Sequence, residues 1–193
     1  MWVTGYRFGG FFYFDGQNFT HYYELTNGDL LKGVTNLVAD SEGIWFKANI
    51  EGASGLVNGQ FVSFRNGEFQ NHSQYFPEGT EAFCLDSQNN LWVAYNGKLY
   101  LYNSETMQAD VTIDLPSGFS ENVLTYFIDS QDRHWITIGN TVLSYSDSRW
   151  ETYPTPNWVF EYFESESGAI SMSINRMYGF FNGEDIHLSI IHI

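Results

Sequence analysis

Three segments place a carboxylate, a hydroxyl and an indole in a fixed order: DSEGIW from Asp40, DSQNNLW from Asp86 and DSQDRHW from Asp129. Acids and histidines are the residue types of acid–base and metal chemistry. DSQD with Asp132 has the outline of a calcium loop, but it lacks the loop glycine and the distal bidentate glutamate. The five histidines, His21, His72, His134, His187 and His192, fall at different places without metal-ligand spacing. No metal and no cofactor is expected from this pattern, and there is no phosphate-cradling glycine loop. Cys84, between Phe83 and Leu85, reads as a buried and inert thiol. Asp40, Asp86 and Asp129 are expected to accept backbone N–H bonds in turns.

A feature that recurs at fixed spacing belongs to the architecture before it belongs to the chemistry. Trp2, Trp45, Trp92 and Trp135 are spaced by 43, 47 and 43 residues, and ESESGAI from Glu164 gives a weaker copy with Ile170 where tryptophan is expected. A period of about 40 to 45 residues is the length of a four-stranded propeller blade. A second register agrees: FFYF at Phe11, FVSF at Phe61, LYLY at Leu99, VLSY at Val142 and MYGF at Met177. Each is followed by a turn cluster, Asp15-Gly16, Asn66-Gly67, Asn103-Ser104, Asp147-Ser148 or Asn182-Gly183, as in a hairpin. Outer strands then begin at Phe19, Phe69, Trp150 and Ile186, and the third copy, around Met107 to Ile113, fits least well. Ahead of the acids, VTNLVA, TEAFCL, VLTYFI and WVFEYF carry apolar residues on both alternate sets of positions, as a strand covered on both faces does.

The expected fold is therefore all-β, a β-propeller of about five four-stranded antiparallel blades in a single domain, residues 1–193. The approximate units are 1–31, 32–77, 78–118, 119–155 and 156–193. Trp45, Trp92 and Trp135 are assigned to packing between blades. The ring either closes through the terminal Ile190, Ile191, His192 and Ile193 or stays an open arc, the arc being favoured, with blade edges available for self-association.

Composition narrows the partners. The 193 residues include 6 Trp, 13 Tyr and 17 Phe, enough apolar surface for a sizeable core. Eight basic against 23 acidic residues leave a net charge of -15, which repels nucleic acid and anionic bilayers. No apolar run approaches a membrane span, so no membrane contact is expected of this chain. One cysteine cannot form an internal disulfide.

On Asp40, Gly43 and Trp45, Asp86 and Trp92, Asp129 and Trp135, and the hairpins DGQNFTHY and NGEFQNH, the repeat resembles the two-component regulator propeller repeat of bacterial hybrid histidine kinases. That resemblance implies a periplasmic or extracellular sensor propeller whose ligand is often a carbohydrate, with the kinase carried elsewhere. FKANIEGASG departs from the small residues usual after the tryptophan, and Ile170 from the tryptophan itself.

Ligand sites gather on loops at one end of such a fold. The segments expected there are the long loops Gly5 to Gly10 and Asn49 to Gln60 and the connections between units. The candidate ligand-binding residues are Tyr6, Arg7, Phe8, Glu51, His72, Tyr75 and Trp158, a polar-aromatic face able to stack on sugar rings and bond their hydroxyls. Trp158 competes with a core role, because it aligns with Val34 and Val123. The function expected is non-catalytic ligand sensing, of a small molecule or oligosaccharide. The alternatives are a lyase or hydrolase on the same scaffold, such as the virginiamycin B type with its convergent histidine and acids, and a structural protein-interaction repeat.

Overall fold

A computed structural model describes residues 1–4, 9–80, 82–103, 106–119, 123–174, 177–181 and 185–190, with residues 177 and 188–190 as backbone only. Its strands form five antiparallel meanders, one per repeat, so the fold class is a β-propeller. Among the described residues the one helical element is a single 3₁₀ turn, Ser73–Tyr75. The chain packs as two compact units, residues 1–78 and 79–193.

The first unit holds a three-stranded sheet, β1 (Trp2–Thr4), β2 (Phe11–Phe14) and β3 (Phe19–Tyr22), and a four-stranded sheet, β4 (Leu30–Ala39), β5 (Gly43–Gly52), β6 (Gly55–Arg65) and β7 (Glu68–Asn71). Phe11, Leu31, Ile44, Phe46 and Val62 form its core, with Trp2 and Tyr22 packed against them. Gly10 enables β2 to start beside β3: its φ is +69°, and a Cβ there would sit 2.0 Å from the Tyr22 carbonyl oxygen.

The second unit holds three four-stranded sheets. They are β8 (Ala82–Leu85), β9 (Leu91–Tyr95), β10 (Lys98–Tyr102) and β11 (Ala109–Asp114); β12 (Thr125–Ile128), β13 (His134–Ile138), β14 (Thr141–Ser146) and β15 (Arg149–Pro154); and β16 (Glu161–Glu164), β17 (Ile170–Ile174), β18 (Met177–Phe181) and β19 (Ile186–Ile190). Trp135, Val142, Tyr162, Met172, Ile174 and Phe181 close the packing between its last two sheets. The turns follow their residues: Asn96 and Gly97 take φ of 47° and 71°, and Asn66 and Gly67 take 54° and 82°, the mirror-image turns that suit the right-handed twist of a hairpin.

The repeated acids do what their spacing suggests. Asp86 Oδ1 accepts from the N–H of Gln88 and Asn90, and Asp129 Oδ1 from that of Gln131 and Arg133. The second carboxylate oxygen accepts the indole N–H, Trp92 to Asp86 at 3.0 Å and Trp135 to Asp129 at 2.9 Å. Trp45, Trp92 and Trp135 are all buried. Asp40 shares the turn bonds to Glu42 and Gly43, while its other oxygen is ion-paired with Arg65.

The serine after the acid has a separate task. Ser87 donates its N–H and hydroxyl to the Asp132 carboxylate of the next sheet at 2.7 and 2.8 Å, and Ser130 does the same to Glu164 at 2.8 and 2.6 Å. Asp132 is thus a clasp between blades. Replacing it with asparagine, which also tolerates its φ of 58°, should cost about 1 kcal/mol in urea denaturation by weakening two charge-assisted bonds.

Two sequence expectations are corrected. Asn49 to Gln60 is not a loop: β5 and β6 run on to pair Ile50 with Val57, Glu51 with Leu56 and Gly52 with Gly55, and β4 extends beside them to pair Leu31 with Ile50. Buried Ile50 gives this extension an apolar anchor, and the chain reverses only at Ala53-Ser54.

The last sheet is also shifted by one residue from its sequence alignment. Ser165, not Glu164, makes the turn bonds of Asp129: its backbone N–H donates to the Ala169 carbonyl and its hydroxyl accepts the Ala169 N–H. Ser171, not Ile170, holds the tryptophan position, pairing with Phe163 and Phe180 as Trp135 pairs with Phe127 and Ser144. The aligned β18 segment then starts at Tyr178 instead of Met177. Because side chains alternate between faces, this one-residue slip exchanges inside for outside along the whole sheet. The terminal residues 191–193, on which ring closure was argued, and the turn residues Ser104, Asn182 and Gly183 lie outside the described residues.

Candidate functional site

The Asn66-Gly67 turn sets the register of β6 against β7, pairing Arg65 with Glu68 and Ser63 with Gln70. The next position, His72, donates its backbone N–H to the Phe61 carbonyl, so its side chain lies diagonally from Ser63 on one face. His72 Nε2 is 2.8 Å from Ser63 Oγ, and the imidazole packs on Trp45 with ring centroids 4.8 Å apart. The 3₁₀ turn then presents Tyr75, whose ring centroid is 6.5 Å from that of His72. Arg65 lies over the other partner, its guanidinium carbon 5.2 Å from the Trp45 ring centroid, held by Asp40 and Glu42.

The two halves of this group differ in exposure. His72 is 6% exposed and Tyr75 47%. His72 Nδ1 is buried with no hydrogen-bond partner. Burial holds the imidazole pKa below its ordinary value, and the Arg65 charge adds to the effect, so the ring is neutral at neutral pH. A neutral ring bonded to Ser63 through Nε2 keeps one unmet capacity at Nδ1, as acceptor or donor according to tautomer. Beside it, the half-exposed tyrosine ring offers a stacking surface.

Ser63 and His72 also form a serine–histidine pair, which raises nucleophilic catalysis. The geometry argues against it. His72 Nδ1 has no carboxylate to orient the ring or stabilise an imidazolium. The neighbouring Arg65 charge opposes the imidazolium directly.

The sequence-derived candidates divide accordingly. His72 and Tyr75 come together. Glu51 does not join them: it pairs with Lys32 at 3.2 Å on the hairpin extension, six residues along β5 from Trp45, roughly 20 Å at strand rise. Tyr6, Arg7 and Phe8 lie outside the described residues. Trp158, in the second unit, is 49% exposed and not a core residue; Val159, 1% exposed, takes the position of Val34 and Val123. Equivalent bonds fix that register, Leu124 N–H to the Thr137 carbonyl and Phe160 N–H to that of Ser173. Sequence reasoning missed Trp45, Ser63 and Arg65 as the support of His72, although the Asn66-Gly67 hairpin register contained the Ser63–His72 diagonal.

The other described histidines are engaged in packing. His21 stacks on Phe12 and bonds the Gly9 carbonyl through Nε2. His134 lies 2.6 Å from the Tyr126 hydroxyl through Nδ1 and meets Trp92 edge to face. Cys84 is buried, and desolvation pushes its thiol pKa up to about 11, the opposite of an activated nucleophile. Among the described residues no group of three metal-ligating side chains converges, and no helix is long and apolar enough to cross a membrane.

Comparison with solved structures agrees with the propeller class. The chain is similar to a catalytically inactive virginiamycin B lyase from Staphylococcus aureus determined with quinupristin, at TM-score 0.64 and 14% identity, over 100% of this chain and 80% of that one. It is also similar to two extracellular domains assigned to hybrid two-component systems of B. thetaiotaomicron. One gives TM-score 0.60 and 15% identity over 94% of this chain and 26% of that one; the other gives 0.55 and 12% over 96% and 31%. The chain thus spans about a quarter to a third of those extracellular domains, and the likeness is one of fold. No protein-family model and no curated protein matches the sequence.

Proposed function

We propose that this chain is a non-catalytic ligand-recognition segment of a sensor propeller outside the cytoplasm, and that it takes a hydroxyl-rich, carbohydrate-type ligand at the His72–Tyr75 end of its second blade. The observation that carries the reading is the buried, unpartnered Nδ1 of His72 next to an exposed tyrosine ring. A buried polar atom without a partner costs free energy, which a ligand hydroxyl would recover on reaching it by displacing the half-exposed Tyr75 ring beside it. The fold shared with extracellular domains of two-component systems supports a sensing role. Binding would act by changing how blades pack, since no bond need be made or broken.

The test is a thermal-shift and calorimetric screen of soluble oligosaccharides. Binding is expected in the wild type, with His72→Ala and Tyr75→Ala each weakening it about tenfold, the loss of one hydrogen bond or one stacking contact. Glu51→Ala is expected to leave affinity unchanged. An absence of any sugar response, or full affinity in both variants, refutes the carbohydrate site. Turnover of a ligand by the wild type would favour the lyase or hydrolase alternative that the virginiamycin B lyase likeness keeps in view.

A further inference from the structure

The one-residue shift of the last sheet leaves one of its faces in an unusual state. Cross-strand pairs put Phe163, Ser171, Phe180 and His187 in one row, and Glu161, Ser173, Tyr178 and the backbone of Ser189 in the next. The opposite face, with Tyr162, Ile170, Met172, Ile174 and Phe181, is buried. On the outward face Phe163, Tyr178 and Phe180 are 48%, 50% and 49% exposed. In the preceding sheet the equivalent face carries Trp135 and Thr137 and is covered: Tyr162 bonds Thr137 at 2.6 Å, and Phe181 packs on Trp135. The last sheet therefore presents, in the blade-packing position, a face whose three rings stay half-exposed. Glu166 stands where Ser87 and Ser130 supply the clasp to a following blade, so this face lacks that hydroxyl donor.

We propose that this face pairs with the same face of a second copy of the chain, about a two-fold axis parallel to the strands. The face is self-complementary in shape. Small residues occupy β17, Ser171 and Ser173, and large rings occupy the adjacent β18, Phe180 and Tyr178. A two-fold axis running between and parallel to these strands lays β18 of one copy over β17 of the other. Each Phe180 then enters the socket over the partner copy's Ser171, a space that Trp135 fills one sheet earlier, and each Tyr178 covers a Ser173. Phe180 is braced for this by stacking on His187 at 5.2 Å. The same axis sets β16 opposite β19, so Glu161 of one copy and His187 of the other share a rim. Three half-exposed rings per copy supply roughly 600 Å² of aromatic contact, the core of an interface of standard size at about 1,200–2,000 Å². Equal patches meeting about a two-fold axis close at two copies.

The inference is independent of the ligand reading and places association on a sheet face, where the sequence pointed to blade edges. Sedimentation velocity across a concentration series is its test. A wild-type dimer is expected, with Phe180→Ser and Ser171→Trp each raising the dissociation constant at least about tenfold while far-UV circular dichroism stays unchanged. The double variant Ser171→Phe with Phe180→Ser exchanges knob and socket and should restore pairing; Phe19→Ser, on the first sheet, should leave it intact. A wild type monomeric up to high concentration overturns the proposal. So does an open-ended oligomer series, or a dimer indifferent to Ser171→Trp.

Discussion

Replacing Trp135 with alanine is expected to destabilise the second unit by about 3–5 kcal/mol, the range for deleting a large buried aromatic side chain. Trp135 is 0% exposed, lies among Val142, Tyr153, Ile170, Met172 and Phe181, and fastens its indole N–H to Asp129. Its removal opens a cavity between two sheets and strips a buried carboxylate oxygen of its donor. The Arg133 guanidinium, 5.4 Å from the Trp135 ring centroid and 5.6 Å from that of Phe181, loses one of its two cation–π surfaces at the same time. Against a typical total of about 5–15 kcal/mol, such a loss leaves the variant marginal, and the midpoint of urea denaturation should fall sharply. Trp2, only partly buried against the first unit's core, should cost less on the same substitution. A Trp135→Ala protein as stable as wild type would mean that the repeated indole is not a packing residue.

Those indoles were legible because each blade poses the same problem. In two blades one acid binds turn N–H groups with one oxygen and an indole with the other, which fixes the six-residue spacing of Asp86 to Trp92 and Asp129 to Trp135, while Asp40, five residues before Trp45, gives its second oxygen to Arg65. The mirror-image turns at Asn66-Gly67 and Asn96-Gly97 were legible for a local reason, since few residues accept positive φ. The last blade was not, because Glu164-Ser165-Glu166-Ser167 offers two polar registers one residue apart and Ser171 erases the tryptophan that would choose between them. The same slip made Trp158 look like core when Val159 is. The hairpin over 49–60 was hidden by its glycines, which read as loop, while the strand pairing of Ile50 with Leu31 and Val57 depends on contacts across the sheet. The site was half legible for a similar reason. His72 and Tyr75 announce themselves by type, whereas Ser63 and Trp45 become their partners only through sheet register, and Glu51, chosen by chemistry, is carried away from them by the extended strand.

Lowering the pH from about 6.5 to about 4 should remove about 3 kcal/mol of stability through His134 alone. This imidazole is enclosed by Tyr126, Trp92 and Tyr145, and desolvation lowers its pKa to about 4, against the partial opposition of Asp86, Asp132 and Asp129. The native ring is neutral and accepts at Nδ1 from the Tyr126 phenol, which burial keeps protonated by raising its own pKa. The unfolded chain takes up a proton near pH 6.5, the native one only near 4. Between those values the unfolded state binds more protons, so stability is fully present above about 6.5 and is lost as the pH falls, at about 1.4 kcal/mol per pH unit within the window. His72, lowered by the same cause, adds in the same direction. Urea denaturation of the wild type and His134→Gln across pH 4–7 separates the contributions: glutamine can still face the phenol but does not titrate. The variant should show a distinctly flatter dependence, retaining the part due to His72 and the carboxylates. Parallel curves would show that His134 takes up its proton as readily in the folded chain as in the unfolded one, and that the Tyr126–His134 pair is open to water.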